Sequence, residues 1–467
     1  MNKLTLKQAL NDLNTKKISS PELITACQQQ ISSLDPQIHA FLTLNPHPRS
    51  AHPGPLEGIP LALKDNILTK GLKTTAASKV LEDYVPPYNA TVTARLLENG
   101  AVLLGKNNLD AWAHGSSTET SDFGPTKNPW NTQHLPGGSS GGTAAAVASD
   151  MTIAGIGTET AGSIRQPSAW CGVVGLKPTY GRVSRYGIVA MGSSLDSPGP
   201  ITKTVEDAAI LLNILAGPDQ NDATTSPLPV EDYTKNLQKG VKGLKIAIAQ
   251  NYLVKEMDAL VKQLVLQAAQ TLESLGAYIE EIELMDPHFA IAVYTIIQRS
   301  EVSSNLARYD GIRYGNDRGA FGDEAIRRQM LGTHSLSTGY YDAYYKKAQK
   351  VRTLYIQNFN QVFQSYDAII SPTSPGTAKK LGATQGQAMF GELEDLLLEP
   401  SSLAGLPGIN VPCGFIAGLP VGLDIVGPQF SESKILQIAQ AFEQATDYHL
   451  QKPNLPKNIL PTLNSAY

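Results

Sequence analysis

The sequence predicts an α/β protein built on a mixed or parallel β-sheet. Two strand–helix–strand alternations point to it, one over 58–66, 89–99 and 101–106, the other over 245–249, 256–275 and 277–282. A helix between two strands is the crossover that parallel pairing requires. Length is the third observation: 467 residues bury a large core, as one large α/β unit or two tightly joined ones.

The elements follow in order. Residues 4–14 read as a short amphipathic helix. Ser19 caps the next helix, Glu22 completes a capping box and Pro21 suits its first turn, so that helix runs to about Leu34. A Pro/His-rich linker covers 46–55. Residues 58–66 form a buried strand ending in the polar Lys64, Asp65 and Asn66. Gly100 stops the helix 89–99 and releases the strand 101–106. Residues 115–142 are rich in Gly, Ser, Thr, Pro and Asn, and so long a loop inside a compact domain is usually functional. Thr204 opens a capped helix that ends near Gly217, and 218–242 is a loop excursion. Residues 290–297 read as buried helix or strand. Later strands fall at 367–371 and 421–426, and the helix 433–446 is the last large element.

Composition narrows the function. A net charge of −4 lacks the clustered cations with which a free-standing nucleic-acid binder displaces counterions. Cys27, Cys171 and Cys413 are far apart and odd in number, which fits a reducing cytoplasm better than a disulfide framework. The first residues lack an apolar signal core, and no run approaches the roughly 18 apolar residues of a membrane span. The eight histidines are mostly isolated, and no His/Asp/Glu cluster suggests a metal. His114 alone sits near a candidate site, as a pocket wall.

Chemistry concentrates in Gly137-Gly138-Ser139-Ser140-Gly141-Gly142-Thr143, a small-residue helix over 144–149, and Thr158-Glu159-Thr160-Ala161-Gly162-Ser163-Ile164-Arg165-Gln166-Pro167. Glycines around a serine let backbone approach a substrate and let neighbouring N–H groups converge on one oxygen. A phosphate loop would need a lysine after the glycines, and none follows. Lys64 ends a strand 75 residues before Ser139. A lysine is a base near pH 7 only if its pKa falls by about 3 units, on the order of 4 kcal/mol. Burial among Ile59, Leu61 and Leu63 is the candidate cause.

The double-glycine serine loop, the Gly-Ser-Ile-Arg-Gln-Pro run 24 residues beyond Ser139, and this lysine together resemble the amidase signature family. The likeness is dense over about 56–206 and thinner to about 430. It implies the amidase signature fold, a central mixed β-sheet covered by helices on both faces. It also implies one amidase domain over 1–467: N-terminal helices at 1–50, the catalytic core at 56–206, and the remaining sheet, helices and substrate pocket at 207–467. By the same resemblance Ser163 is the acyl-forming nucleophile. Ser139, preceded by a cis peptide, passes the proton, and Lys64 accepts it. The backbone N–H groups of Thr160, Ala161 and Gly162 form the oxyanion hole. Two residues depart from the family pattern: Glu159 replaces a shorter carboxylate, and Ala161 adds a methyl group beside that hole.

Within the family, the phrases at 172–187, 303–315 and 339–354 resemble the glutamine-hydrolysing branch that serves tRNA-dependent amidotransferases. That likeness implies a cytoplasmic heterotrimer with two partners, subunits B and C, of which the second is small. Ammonia passes from this chain to the first. No cofactor is then expected in this chain; ATP and Mg belong to that first partner, and tRNA is held mainly there. Glu-tRNA(Gln) is the acceptor, with Asp-tRNA(Asn) left open. Arg328 would take the glutamine α-carboxylate, for which a planar guanidinium is suited. Asp395 would take the α-ammonium and Tyr294 would line the pocket, with Gly115 and Ser116 completing the substrate-binding set. The stretch between Tyr314 and Arg327 is shorter than in the family, a trimmed surface excursion. The tyrosines of 340–345 read as helix-packing aromatics rather than an RNA-stacking strip. The rivals are a stand-alone amidase for another small amide, and a non-enzymatic scaffold supported only by Glu159 and Ala161.

Overall fold

The computed structural model describes residues 1–309, 313–387 and 389–455. Residues 310–312, inside the 303–315 phrase, lie outside the described residues. The strands are β1 (Phe41–Leu44), β2 (Pro60–Lys64), β3 (Val102–Asn107), β4 (Ala154–Glu159), β5 (Val174–Lys177), β6 (Ser197–Thr202), β7 (Lys245–Ala249), β8 (Tyr278–Ile282), β9 (Ala368–Pro372), β10 (Gly408–Ile416) and β11 (Leu419–Val426). They form one eleven-stranded sheet in the order β1-β3-β2-β4-β6-β5-β10-β11-β9-β7-β8. Toward its flanks lie the parallel sets β3-β2-β4 and β9-β7-β8, each containing one of the two strand–helix–strand units, and β1 adds an antiparallel edge strand beside β3. Antiparallel pairings through β6, β5, β10 and β11 join them, so the sheet is mixed.

Local signals set several boundaries. Thr5 caps the helix Leu6–Asn14 with a capping box to Gln8, and Ser19 caps Ser20–Ile38 with one to Glu22. The second helix continues past Leu34 and carries Pro36 inside it. Its buried face of Leu23, Cys27, Ile31, Leu34 and Ile38 recurs at helical spacing, and burial of that stripe outweighs the proline. Residues 290–297 belong to the helix His288–Leu306. Tyr340, Tyr341 and Tyr344 are 45%, 45% and 42% exposed, and Tyr340 and Tyr344 pack on His334 of the helix Asp323–Leu336. Asp342–Lys346 is a π-helical turn, and the rings pair on its outside, Tyr340 with Tyr344 and Tyr341 with Tyr345. The three cysteines are buried free thiols. No described helix is long and apolar enough to cross a membrane.

The sheet brings two distant motifs to one edge. β2 and β4 run parallel, so Lys64 and Glu159, their last residues, lie at the same end. The helix Gly141–Ala148 lies directly on β4 because β4 has glycines facing it. A Cβ on Gly155 would come 2.5 Å from Thr143 Cγ2, and one on Gly157 2.8 Å from Ser140 Oγ. This close approach sets Ser139 and Ser140, just before the helix, against the end of β4.

Candidate active site

Lys64 is fully buried. Its Nζ donates to Ser139 Oγ at 2.7 Å and to the Thr158 carbonyl at 3.1 Å. Burial lowers the ammonium pKa to about 7, against the opposing pull of Asp110, Asp196 and Glu159. Asn66 Nδ2 donates to Thr158 Oγ1 at 2.9 Å, which ties the β2 end to β4 on the side of the amine.

The two serine loops are bonded to one another. Ser140 N–H donates to the Ser163 carbonyl at 3.1 Å, and Gly138 N–H to Gln166 Oε1 at 2.9 Å. Thr118 holds the glycines from the other side, donating to the Gly137 carbonyl at 2.8 Å and accepting from Gly141 N–H at 3.1 Å. The Gly138–Ser139 peptide is cis. Ser163 sits in the turn that leads into the helix Arg165–Cys171. The backbone N–H groups of Thr160, Ala161 and Gly162 donate no hydrogen bond among the described residues, which leaves them available to a ligand oxygen.

Glu159 organises that turn. Its Oε2 accepts from the N–H groups of Ile164 at 2.9 Å and Arg165 at 3.0 Å, and its Oε1 receives the Arg165 guanidinium. Arg165 is fully buried and also reaches Asp424 at 2.9 Å. The longer carboxylate therefore serves the helix start and the arginine together. Ala161 is buried and is not among the residues with positive φ, so its methyl group is accommodated in the core.

A cavity of about 450 Å³ opens beside this centre, lined by His114, Gly115, Ser116, Arg328, Gly391 and Glu392 among others. Its wall adjoins the serine loop: a Cβ on Gly138 would lie 2.5 Å from Ser117 N and overlap Asp110 Oδ2. Ser116 Oγ donates to Asp395 Oδ2 at 2.7 Å. Asp395 in turn presses on Gly162, where a Cβ would lie 2.8 Å from its Cγ. Asp395 thus bridges the cavity wall and the turn that carries Ser163. Asp395 Oδ1 is buried without a partner among the described residues, and burial pushes the carboxyl well above its ordinary range.

Arg328 and Arg327 part company. Arg327 is half exposed, whereas Arg328 turns inward and is buried, with Nε on Glu324 Oε1 at 2.7 Å and Nη2 3.8 Å from Glu392 Oε1. Tyr294 is buried near these charges but outside the cavity wall, its phenol pushed up by burial. His114 is a wall residue; burial, then Arg328 and Arg299, hold its pKa well below the ordinary value, so its ring is neutral.

Sequence reasoning missed three participants. Asp110 accepts from Ser117 N–H, Ser117 Oγ and Thr120 Oγ1, at 3.0, 2.9 and 2.9 Å, and fixes the loop against Gly138. Asp196 accepts from Thr160 Oγ1 at 2.6 Å. Arg299 donates to Glu392 at 2.9 Å. None belongs to a local spacing pattern that marks it.

The family model described as Amidase matches residues 22–436, and the chain belongs to that family. Its relatives are narrower in kind. It is 50% identical to the A subunit of the glutamyl-tRNA(Gln) amidotransferase of Geobacillus sp. (strain WCH70), over 95% of this chain and 97% of that one. The solved A subunit of the glutamyl-tRNA(Gln) amidotransferase of Thermotoga maritima superposes with a TM-score of 0.84 at 44% identity, over 95% of each chain. The native peptide amidase of Stenotrophomonas maltophilia gives a TM-score of 0.84 at 32% identity, over 97% of this chain and 98% of that one.

Proposed function

We propose that this chain is the glutaminase subunit of a tRNA-dependent amidotransferase. It hydrolyses glutamine through Lys64, Ser139 and Ser163 and supplies ammonia to a partner. The carrying observation is the 2.7 Å bond from a fully buried Lys64 to Ser139 Oγ, because burial makes that lysine a base near pH 7. Ser163 Oγ attacks the side-chain amide carbon while Ser139 takes its proton and passes its own to Lys64. The N–H groups of Thr160, Ala161 and Gly162 stabilise the developing oxyanion. The tetrahedral intermediate collapses, the proton returns to the departing nitrogen, and ammonia leaves. Water then cleaves the Ser163 ester by the same relay, releasing glutamate.

Arg328 receives the glutamine α-carboxylate. Asp395 receives the α-ammonium, a cation that would restore the charged state its burial disfavours. Tyr294 shapes the site from behind, with Gly115 and Ser116 in its wall. Likeness to proteins named as one subunit of an enzyme supports a multi-subunit assembly. In this reading subunits B and C complete it. ATP, Mg and the amidation of Glu-tRNA(Gln) belong to the first of these partners, which also holds most of the tRNA, with Asp-tRNA(Asn) as a further acceptor to assay. The likeness to a peptide amidase keeps a stand-alone amidase as the second reading.

The test is ammonia release from glutamine by the assembled complex and by the chain alone, with Ser163→Ala in parallel. Release that partners stimulate and Ser163→Ala abolishes is expected. Equal release by both proteins would remove Ser163 from the mechanism. Faster turnover of simple amides than of glutamine, by a chain that stays alone, would favour the second reading.

A further inference from the structure

Of the carboxylates in the cavity wall, Glu324 and Glu392 flank its inward cation Arg328. Two anions around one guanidinium make a poor receptor for a third carboxylate. The compensation comes from outside the wall. Arg299, on the helix His288–Leu306, reaches Glu392 from behind, its Nη2 2.9 Å from Oε1. Arg328 Nη2 stands 3.8 Å from the same oxygen. Both arginines and Glu392 are buried, so bulk water screens their charges weakly.

We propose that Arg299 is a positioning residue for substrate binding: by holding Glu392 it keeps the terminal N–H groups of Arg328 open to a substrate carboxylate. This rests on the reading of Arg328 as the α-carboxylate receptor. With Arg299 present, Glu392 has a guanidinium of its own at 2.9 Å, and Glu324 already takes Arg328 Nε at 2.7 Å. Without Arg299, Arg328 becomes the cation nearest Glu392. The carboxylate then closes the gap onto Nη2 and occupies the edge that a bidentate ligand needs, in a site that has lost one positive charge. His114, neutral beside both arginines, supplies no replacement cation.

The experiment compares glutamine with 4-aminobutanamide, the same amide without the α-carboxylate, using the assembled enzyme. Arg299→Gln is expected to raise KM for glutamine about tenfold, with the change in KM rather than kcat. The ratio of kcat/KM between glutamine and 4-aminobutanamide should fall by the same factor. Adding Glu392→Gln should bring KM back to within about threefold of the parent. An unchanged KM, an equal loss on both amides, or no rescue by the double variant would overturn the proposal. Should Arg299→Gln fail to fold, Glu392→Gln alone decides: KM for glutamine stays level or falls if Glu392 competes for Arg328, and a rise above threefold overturns the idea. Arg328→Gln separates the two layers. If it does not weaken glutamine relative to 4-aminobutanamide, the carboxylate site lies elsewhere and both readings fall. If it does while Arg299→Gln does not, the Arg299 proposal alone falls.

Discussion

Glu159 and Arg165 form a buried pair, 2.6 Å at its shortest, that spans the turn carrying Ser163. The same carboxylate caps the helix start, and Arg165 Nη2 also reaches the Ala161 carbonyl at 3.3 Å. The turn is held from both ends. Glu159→Gln keeps the shape and removes the charge, leaving Asp424 as the one carboxylate bonded to Arg165 among the described residues. Losing one partner of a buried pair costs about 3–5 kcal/mol. Lower stability in urea unfolding is expected, with kcat falling more than KM rises, because the loosened groups are the N–H donors near the oxyanion. Unchanged stability would mean that Asp424 alone can hold Arg165.

Lys64 makes activity and stability depend on pH in a set direction. Its pKa is about 7 in the folded chain, against 10.5 as a free side chain. The base is neutral above pH 7, so kcat/KM should drop about tenfold per pH unit below that point. Between about 7 and 10.5 the unfolded chain holds a proton on this lysine that the folded chain lacks. Stability from this group therefore rises with pH across that window and is flat below it. Lys64→Met removes activity, raises stability at pH 7 and abolishes this part of the slope. A less stable Lys64→Met protein would show that the amine contributes more by its bonds to Ser139 and Thr158 than burial costs it.

Much of this centre is legible in the sequence because its parts are local motifs. The glycines, the two serine runs and the polar end of β2 stand out, and the alternating elements give the parallel flanks. Gly-x-Ser-x-Gly frames surround both Ser139 and Ser140. They belong equally to hydrolase elbows that use histidine, whereas here Ser139 is bonded to a lysine. The centre of the sheet is harder to read. β6 carries Pro198 and Pro200, which argue against an interior strand, yet it lies between β4 and β5. Its pairing with β5 uses Thr202 and Ile201, beyond both prolines. Arg299 and Glu392 are 93 residues apart, so no helical or strand period relates them.

Asp110 is the foremost of the anions opposing the low pKa of Lys64. Asp110→Asn removes that pull, so the lysine loses its proton more readily and the acid limb of kcat/KM moves to lower pH. The amide cannot accept all three bonds from Ser117 and Thr120, so the loop against Gly138 loosens and the plateau falls. Fitting the pH profile separates the two effects. A plateau loss with an unmoved limb would make Asp110 a loop anchor without electrostatic influence on the base.

Two neighbouring positions should respond oppositely to one methyl group. At Ala161 the methyl is buried in the core, and φ lies outside the left-handed region, so no backbone strain attends it. Ala161→Gly is expected to cost about 1 kcal/mol of stability, mainly through backbone entropy, and to leave kcat within about threefold. At Gly162 a Cβ would overlap Asp395 Oδ1 and lie 2.8 Å from both its Cγ and Leu398 Cδ1. Asp395 cannot retreat without breaking its 2.7 Å bond from Ser116, and Gly162 itself abuts the nucleophile. Gly162→Ala should therefore lower kcat by at least 100-fold and also raise KM for glutamine, since one shift displaces both Ser163 and the proposed ammonium receptor. Steady-state kinetics on both variants, beside their unfolding curves, reads this out. Normal turnover in Gly162→Ala would mean that Asp395 moves freely and does not connect the cavity to the nucleophile.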